Sequence, residues 1–323
     1  MWDVHAHHVP SAALESARTS GSLGVSYDPA ARVLTRPAGP SRPVPPALMD
    51  LAGTLERARG WGVEVQIVSP WLDLTDHSLP RAEAAAWSRE LNDALAAAIE
   101  AYDMFRGIAA LPLGNGDDAA AELTRAVDKL GFLGGMVDTQ ICGRNLSEAG
   151  LEALFEVSAR KGAVLFLHPF EVLGRTRLQQ HFMTNTLGNP FETTVAALDL
   201  VFSGVFERHP TLKVLLAHTG GTLPFIAGRA AHGSKAVGSG PGLDTDEILR
   251  LFYYDTVLHD AAALAFAVRR IGADRFVIGT DDPFPMAIED PKQHVEHVEG
   301  SMGEKGLLEA FARVTEELFA QPV

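Results

Sequence analysis

The chain has 323 residues, 46% of them hydrophobic, and sets 27 Lys and Arg against 41 Asp and Glu for a formal net charge of -14. That balance argues against nucleic acid as a partner, because phosphate binding needs a basic surface, and no apolar run approaches the roughly 20 residues needed to cross a membrane. The N-terminus opens directly into Trp2-Asp3-Val4-His5 without a secretory leader, and Cys142 stands alone, so neither an intramolecular disulfide nor a cysteine-based structural zinc site can form. A cytoplasmic enzyme with a buried or inert thiol is expected.

The first strand ends in His5-Ala6-His7. A stretch rich in Ser, Gly and Pro follows over 10–46, and its one alternating segment, 23–33, predicts a two-stranded hairpin inserted after that strand. The pattern then becomes regular: a helix over 47–60, a strand over 63–69, a helix over 81–102 and a strand over 105–111. Next come a helix over 117–130, a strand over 134–137, a helix over 147–161 and the apolar strand 163–167, with His168 immediately after it. A helix over 191–208 leads to the strand 212–217 and His218, then a helix to about 232 and a loop rich in Gly and Ser. The strands 252–256 and 275–279 flank a helix over 261–271, and a helix over 304–319 closes the chain.

Eight short apolar strands alternating with helices predict a (β/α)8 barrel of the TIM type, one domain over 1–323 with the 10–46 insertion. An open doubly wound sheet alternates in the same way, but it would not bring the ends of strands one, five, six and eight to one place. In a barrel all the strand ends meet at one mouth.

Strand alternation puts His5 and His7 on one face, where two imidazoles can grip one cation, and turns His8 away. His168 supplies a third nitrogen, and Asp281, after Val277-Ile278-Gly279-Thr280, supplies a carboxylate that lowers the charge of the site and tightens the ion. Three His and one Asp suit one divalent first-row cation, zinc foremost with manganese beside it. His218, ahead of Thr219-Gly220-Gly221, reads either as a fourth nitrogen ligand or as a general base, and the base is favoured. No lysine ends a central strand, so a lysine carboxylate cannot bridge two metals and one is expected.

Further blocks join these residues: Leu167-His168-Pro169, Gly188-Asn189-Pro190-Phe191-Glu192-Thr193-Thr194, Ala217-His218-Thr219-Gly220-Gly221, Tyr254-Asp255-Thr256-Val257-Leu258-His259-Asp260 and Gly279-Thr280-Asp281-Asp282-Pro283-Phe284-Pro285. With His5-Ala6-His7 they resemble the amidohydrolase superfamily, within it the branch of α-amino-β-carboxymuconate-ε-semialdehyde decarboxylase and related nonoxidative decarboxylases. The resemblance implies a metal held by His5, His7, His168 and Asp281, with His218 activating a metal-bound water beside Asp281. It also implies a homodimer in which Arg229 crosses the interface to hold a substrate carboxylate in the neighbouring site. A second carboxylate-holding arginine is usual before the second strand, where this chain has Thr54, Leu55 and Glu56, so one anchor is expected to be missing. Asp282 stands where relatives usually carry tyrosine, either as a solvated group or as an extra acid that moves protons.

The reading ranked first is a metal-dependent decarboxylase of a small carboxylated aromatic or muconate-like compound. Hydrolysis or hydration of a cyclic amide, lactone or related molecule on the same scaffold is the alternative, since fold does not decide chemistry. A noncatalytic metal-binding barrel comes third, and it requires that one of the five residues be unmatched in space or that the mouth be filled.

Overall fold

The structure, a computed structural model, describes residues 1–320. The strand β1 (Trp2–His8) is followed by a helix, Ser11–Thr19, and a small antiparallel sheet of β2 (Ser26–Asp28), β3 (Val33–Arg36) and β4 (Gly39–Pro40). The predicted hairpin is therefore a three-stranded sheet, and the segment also contains a helix that the polar composition concealed. Arg36 fastens this sheet to the barrel by donating to the carbonyl of Thr75 at 3.0 Å, and Asp76 accepts from the amide of Ala38 at 2.8 Å.

The barrel continues through β5 (Val65–Pro70), β6 (Phe105–Gly107), β7 (Gly134–Asp138), β8 (Val164–His168), β9 (Lys213–Leu216) and β10 (Tyr253–Tyr254), with parallel neighbours in the orders β1-β5-β6 and β7-β8-β9-β10. Ala109 joins the two arcs, donating to Gly134 and accepting from Met136. The predicted eighth strand lacks regular ladder pairing, yet it closes the circle: Val277 N donates to Tyr254 O at 2.9 Å, Val4 N to Ile278 O at 2.8 Å, and Asp281 N to His5 O at 2.7 Å.

Alternation along the strands sorts the core. Ile67, Ile108, Met136, Phe166, Leu215 and Val277 form one buried cluster, whereas Val68, Leu165, Leu167 and Leu216 pack with helix residues such as Leu123, Leu154 and Leu200. Most predicted helices are present with shifted ends, and the reasons are local. Asn115 caps Gly116–Leu130 by accepting from Asp118 N, and Gly204, at φ 74°, separates Asn189–Phe202 from Val205–Arg208 where one helix was expected. Thr245–Arg250, with a capping box from Asp244 and Glu247, and Pro291–Met302, capped by Asp290, were not expected. Cys142 is exposed rather than buried, although partial burial raises its thiol pKa and favours the unreactive protonated form.

Gly134 marks the tightest approach between neighbouring strands, since a Cβ there would lie 1.9 Å from the carbonyl oxygen of Val164, its register partner. Backbone, not a movable side chain, fills that space. Gly134→Ala is expected to destabilise the fold by about 1–3 kcal/mol, read as a lower denaturant midpoint with an unchanged slope.

Candidate metal centre and active site

All five predicted residues meet at the mouth of the barrel. His5 Nε2 lies 3.1 Å from His7 Nε2, and Asp281 Oδ1 is 3.2 Å from each of them. Ligand atoms of His5, His168, His218 and Asp281 all lie within 4.8 Å of one another, and His218 Nε2 is 3.8 Å from Asp281 Oδ2. His5, His7, His168 and Asp281 are buried, and His218 is partly exposed. His8 points elsewhere, as alternation requires; burial pushes its pKa down to about 4 despite a backbone contact at Leu48.

The outer nitrogens of the imidazoles are tied down. His5 Nδ1 meets Asp255 Oδ2 at 2.6 Å, and His168 Nδ1 meets the carbonyl of Pro169 at 3.1 Å. Ser69 donates its hydroxyl to Ala6 O, so it accepts from His7 Nδ1 at 3.2 Å. Each of these partners only accepts, which places a proton on each Nδ1 and makes the inward-facing Nε2 atoms the ones that can ligate. His168 Nε2 and Asp281 Oδ1 are buried without a hydrogen-bond partner. Ring nitrogens and a carboxylate converging in this way are what a cation satisfies, and the donor set of three nitrogens and one carboxylate fits a divalent first-row metal.

The electrostatics agree. Burial lowers the pKa of His7 and drives that of His168 well below its ordinary value, keeping both in the neutral ligating form. Burial also opposes charge on Asp281, but the neighbouring imidazoles, His5 first, hold its carboxyl well below the usual range. For His5 burial again works against charge, yet Asp281 and Asp255 outweigh it and raise the pKa to about 10. This pocket of carboxylates attracts a positive charge, and metal and proton compete for it.

Above the centre opens a cavity of about 620 Å³. Trp71, Leu72, Phe284 and Pro285 give it an apolar wall, and Gln179, Thr184, Asn185 and Asn189, from the segment after β8, give it a polar one. The five residues converge and the mouth is open, so the structure lacks both features that the noncatalytic reading required.

Two expectations need correction. An arginine does enter the cavity before the second barrel strand, but it is Arg42 of the inserted segment, held by Asp73 Oδ2 at 2.9 Å from Nε and stacked 5.3 Å above Trp71. Thr54 instead faces Arg57, accepting from its Nη2 at 3.0 Å. Asp282 is neither solvated nor turned to the metal ligands: it is buried and takes a two-point ion pair from Arg57, at 2.8 and 2.9 Å. Arg229 is exposed on the helix Leu223–Val237 and lies outside the cavity of its own subunit, as its distance along the helix from His218 implied. Asp255, quoted within a motif but given no role, was missed.

The Amidohydrolase family model Amidohydro_2 matches residues 2–301, and the chain belongs to this family. A curated relative, 2-amino-3-carboxymuconate-6-semialdehyde decarboxylase of Dictyostelium discoideum, is 33% identical over 244 residues, 73% of this chain and 67% of its own length. The aligned part spans about two thirds or less of the first curated relatives. Among solved structures, 2,6-dihydroxybenzoate decarboxylase complexed with 2,6-dihydroxybenzoate is 25% identical with a TM-score of 0.76, covering 98% of both chains. A dihydroxybenzoic acid decarboxylase from Polaromonas, solved with manganese and 2-nitroresorcinol, is 24% identical with a TM-score of 0.73, over 98% of this chain and 96% of that one.

Removing the only anionic group in the ligand set should empty the centre. Asp281→Ala, purified and analysed for metal by mass spectrometry, is expected to hold well under one ion per chain where the unaltered protein holds about one. Full occupancy in the variant would show that the ion sits elsewhere.

Proposed function

We propose that the protein is a metal-dependent nonoxidative decarboxylase of a small carboxylated aromatic or muconate-like compound. The observation that carries this reading is the set of converging Nε2 atoms and Asp281 beneath a cavity holding an arginine and an aromatic wall. His5, His7, His168 and Asp281 would hold one divalent cation, zinc or manganese, with the Polaromonas barrel supporting the second. When bound, such an ion supplies Lewis acidity that polarises a substrate oxygen.

The chain's own groups do the rest. Trp71 and Phe284, the latter 5.1 Å from the His7 ring, form apolar surfaces against which a flat ring can lie and from which water is excluded. Arg42 offers the guanidinium for an anionic substituent, an acceptor geometry that arginine suits. His218, partly exposed in the cavity and close to Asp281, moves the proton: the ring carbon bearing the carboxylate takes a proton, the carbon–carbon bond breaks, and CO2 leaves as the pair returns to the ring.

No helix among the described residues is long and apolar enough to cross a membrane. We place the enzyme in the cytoplasm as a homodimer, with Arg229 reaching the partner's substrate. Supporting this, Arg229 is exposed one turn beyond Phe225, itself exposed and stacked on Phe266 at 4.9 Å.

CO2 release from carboxylated aromatics is expected in a panel that also contains lactones and cyclic amides; ring opening without CO2 would make the enzyme a hydrolase. On the substrate so found, His218→Ala should keep its metal and lose about 100-fold to 10,000-fold in turnover. Loss of the metal together with the rate would make His218 a ligand.

For Arg229, mixing Arg229→Ala with His168→Ala subunits, verified as exchanged, should restore activity above either parent. Each mixed dimer contains one site with an intact metal shell and an intact partner arginine. No recovery would place Arg229 outside the neighbouring site.

A further inference from the structure

His5 and Asp255 are 250 residues apart in sequence, yet their side chains meet at 2.6 Å. Gly279 makes the contact possible, because a Cβ at that position would lie 2.8 Å from His5 Cβ and 3.0 Å from Asp255 Cβ. Fully buried, the Asp255 carboxylate receives four donors. Oδ2 accepts from His5 Nδ1 and from the backbone amide of His218 at 3.0 Å, while Oδ1 accepts from the amides of Thr219 at 2.8 Å and Val257 at 3.1 Å.

Two of those amides belong to a strained turn. His218 and Thr219 both sit in the left-handed region, at φ 56° and 55°, a conformation that L-residues with a Cβ seldom adopt and that persists only where its surroundings hold it. Successive amides in such a turn form a concavity suited to an anion. Here the anion is the Asp255 carboxylate. Thr219 closes the contact a second time by donating its hydroxyl to Asp255 O at 3.1 Å.

We propose that Asp255 is the positioning residue for both halves of the site, locking His5 in the tautomer whose Nε2 faces the metal and clamping the strained turn that aims His218 into the cavity. The proposal rests on the metal centre argued above. It extends that reading by making ligand geometry and proton-transfer geometry depend on one carboxylate.

Asp255→Asn tests it with almost no change of volume. An amide has one acceptor and one donor end, whereas all four partners of the carboxylate are donors. In one orientation the NH2 opposes His5 Nδ1–H and the His218 amide; in the other it opposes the amides of Thr219 and Val257. Either way, one pair of bonds is lost, or the His5 proton moves to Nε2 and blocks the ligand position.

Metal-stripped unaltered protein, Asp255→Asn and Asp281→Ala are titrated with zinc against a chromophoric chelator, and the histidine ring nitrogens are read by 15N NMR in the zinc-loaded form. Zinc affinity of Asp255→Asn should fall about 10-fold to 100-fold. The Nδ1–H signal of His5 should be lost or shifted, and the ring signals of His218 should move with it. Affinity equal to that of the unaltered protein, with unchanged His5 and His218 spectra, overturns the proposal. If Asp281→Ala also binds zinc like the unaltered protein, it is the metal centre itself that fails. Should Asp255→Asn not fold, the spectrum of the unaltered protein decides, because a His5 proton on Nε2 overturns the tautomer lock.

Discussion

His5, His7 and Asp281 face one another across about 3 Å with His168 beside them, and the outer nitrogens of the three imidazoles are already hydrogen-bonded. That constraint organises the rest of the structure. Once Asp255, Ser69 and the carbonyl of Pro169 hold the outer nitrogens, the inner ones can only repel each other and Asp281 unless a positive charge stands between them. A fold that merely needed burial would not keep such a cluster, since unpaired buried polar atoms are costly. A cation among these atoms would satisfy the cluster.

The same strands that deliver the ligands close the barrel. Asp3, fully buried, accepts at Oδ1 from the amides of His5 and Thr280 and at Oδ2 from the Thr280 hydroxyl and Gln66. Burial raises its pKa to about 6, against the lowering effect of these bonds, with Thr280 the largest. It thereby stitches the strand of His5 to the segment of Asp281, where ladder pairing is incomplete. The seam of the barrel and the seam of the site coincide.

The strand ends were legible because a buried strand is a short apolar run and the first polar residue after it must sit at the rim. His168 after Val164–Leu167 and His218 after Leu215-Leu216-Ala217 are of this kind, and so is the pairing of His5 with His7, which follows from alternation alone. Arg42 was not legible. It lies in a segment without hydrophobic period, and contacts distant in sequence, those of Arg36 with Thr75, Ala38 with Asp76 and Arg42 itself with Asp73 and Trp71, set its place over the mouth. Asp255 was hidden for a different reason: its partners are His5, far away in sequence, and backbone amides, which leave no mark on composition. Asp282 was misread because its neighbour Asp281 suggested a shared role, while the backbone turns its side chain toward Arg57 on the helix Leu51–Gly60. The helix Pro291–Met302 escaped because its apolar positions are few, with Val295 and Val298 as its buried valines.

What was legible and what was not divide along a functional line. The residues proposed for metal and proton come from strand ends, whose positions the barrel dictates, whereas the cavity walls come from the 10–46 insertion and from the loops after the strands, those bearing Trp71, Gln179 and Phe284 among them. Loops on a rigid barrel can change without disturbing the core. The ring-binding surface, Arg42 and the polar wall can therefore vary independently of the chemistry beneath them. On the proposed reading, selectivity belongs to those walls, Gln179 and Asn185 among them, whereas the pull on a cation belongs to His5, His7, His168 and Asp281 beneath.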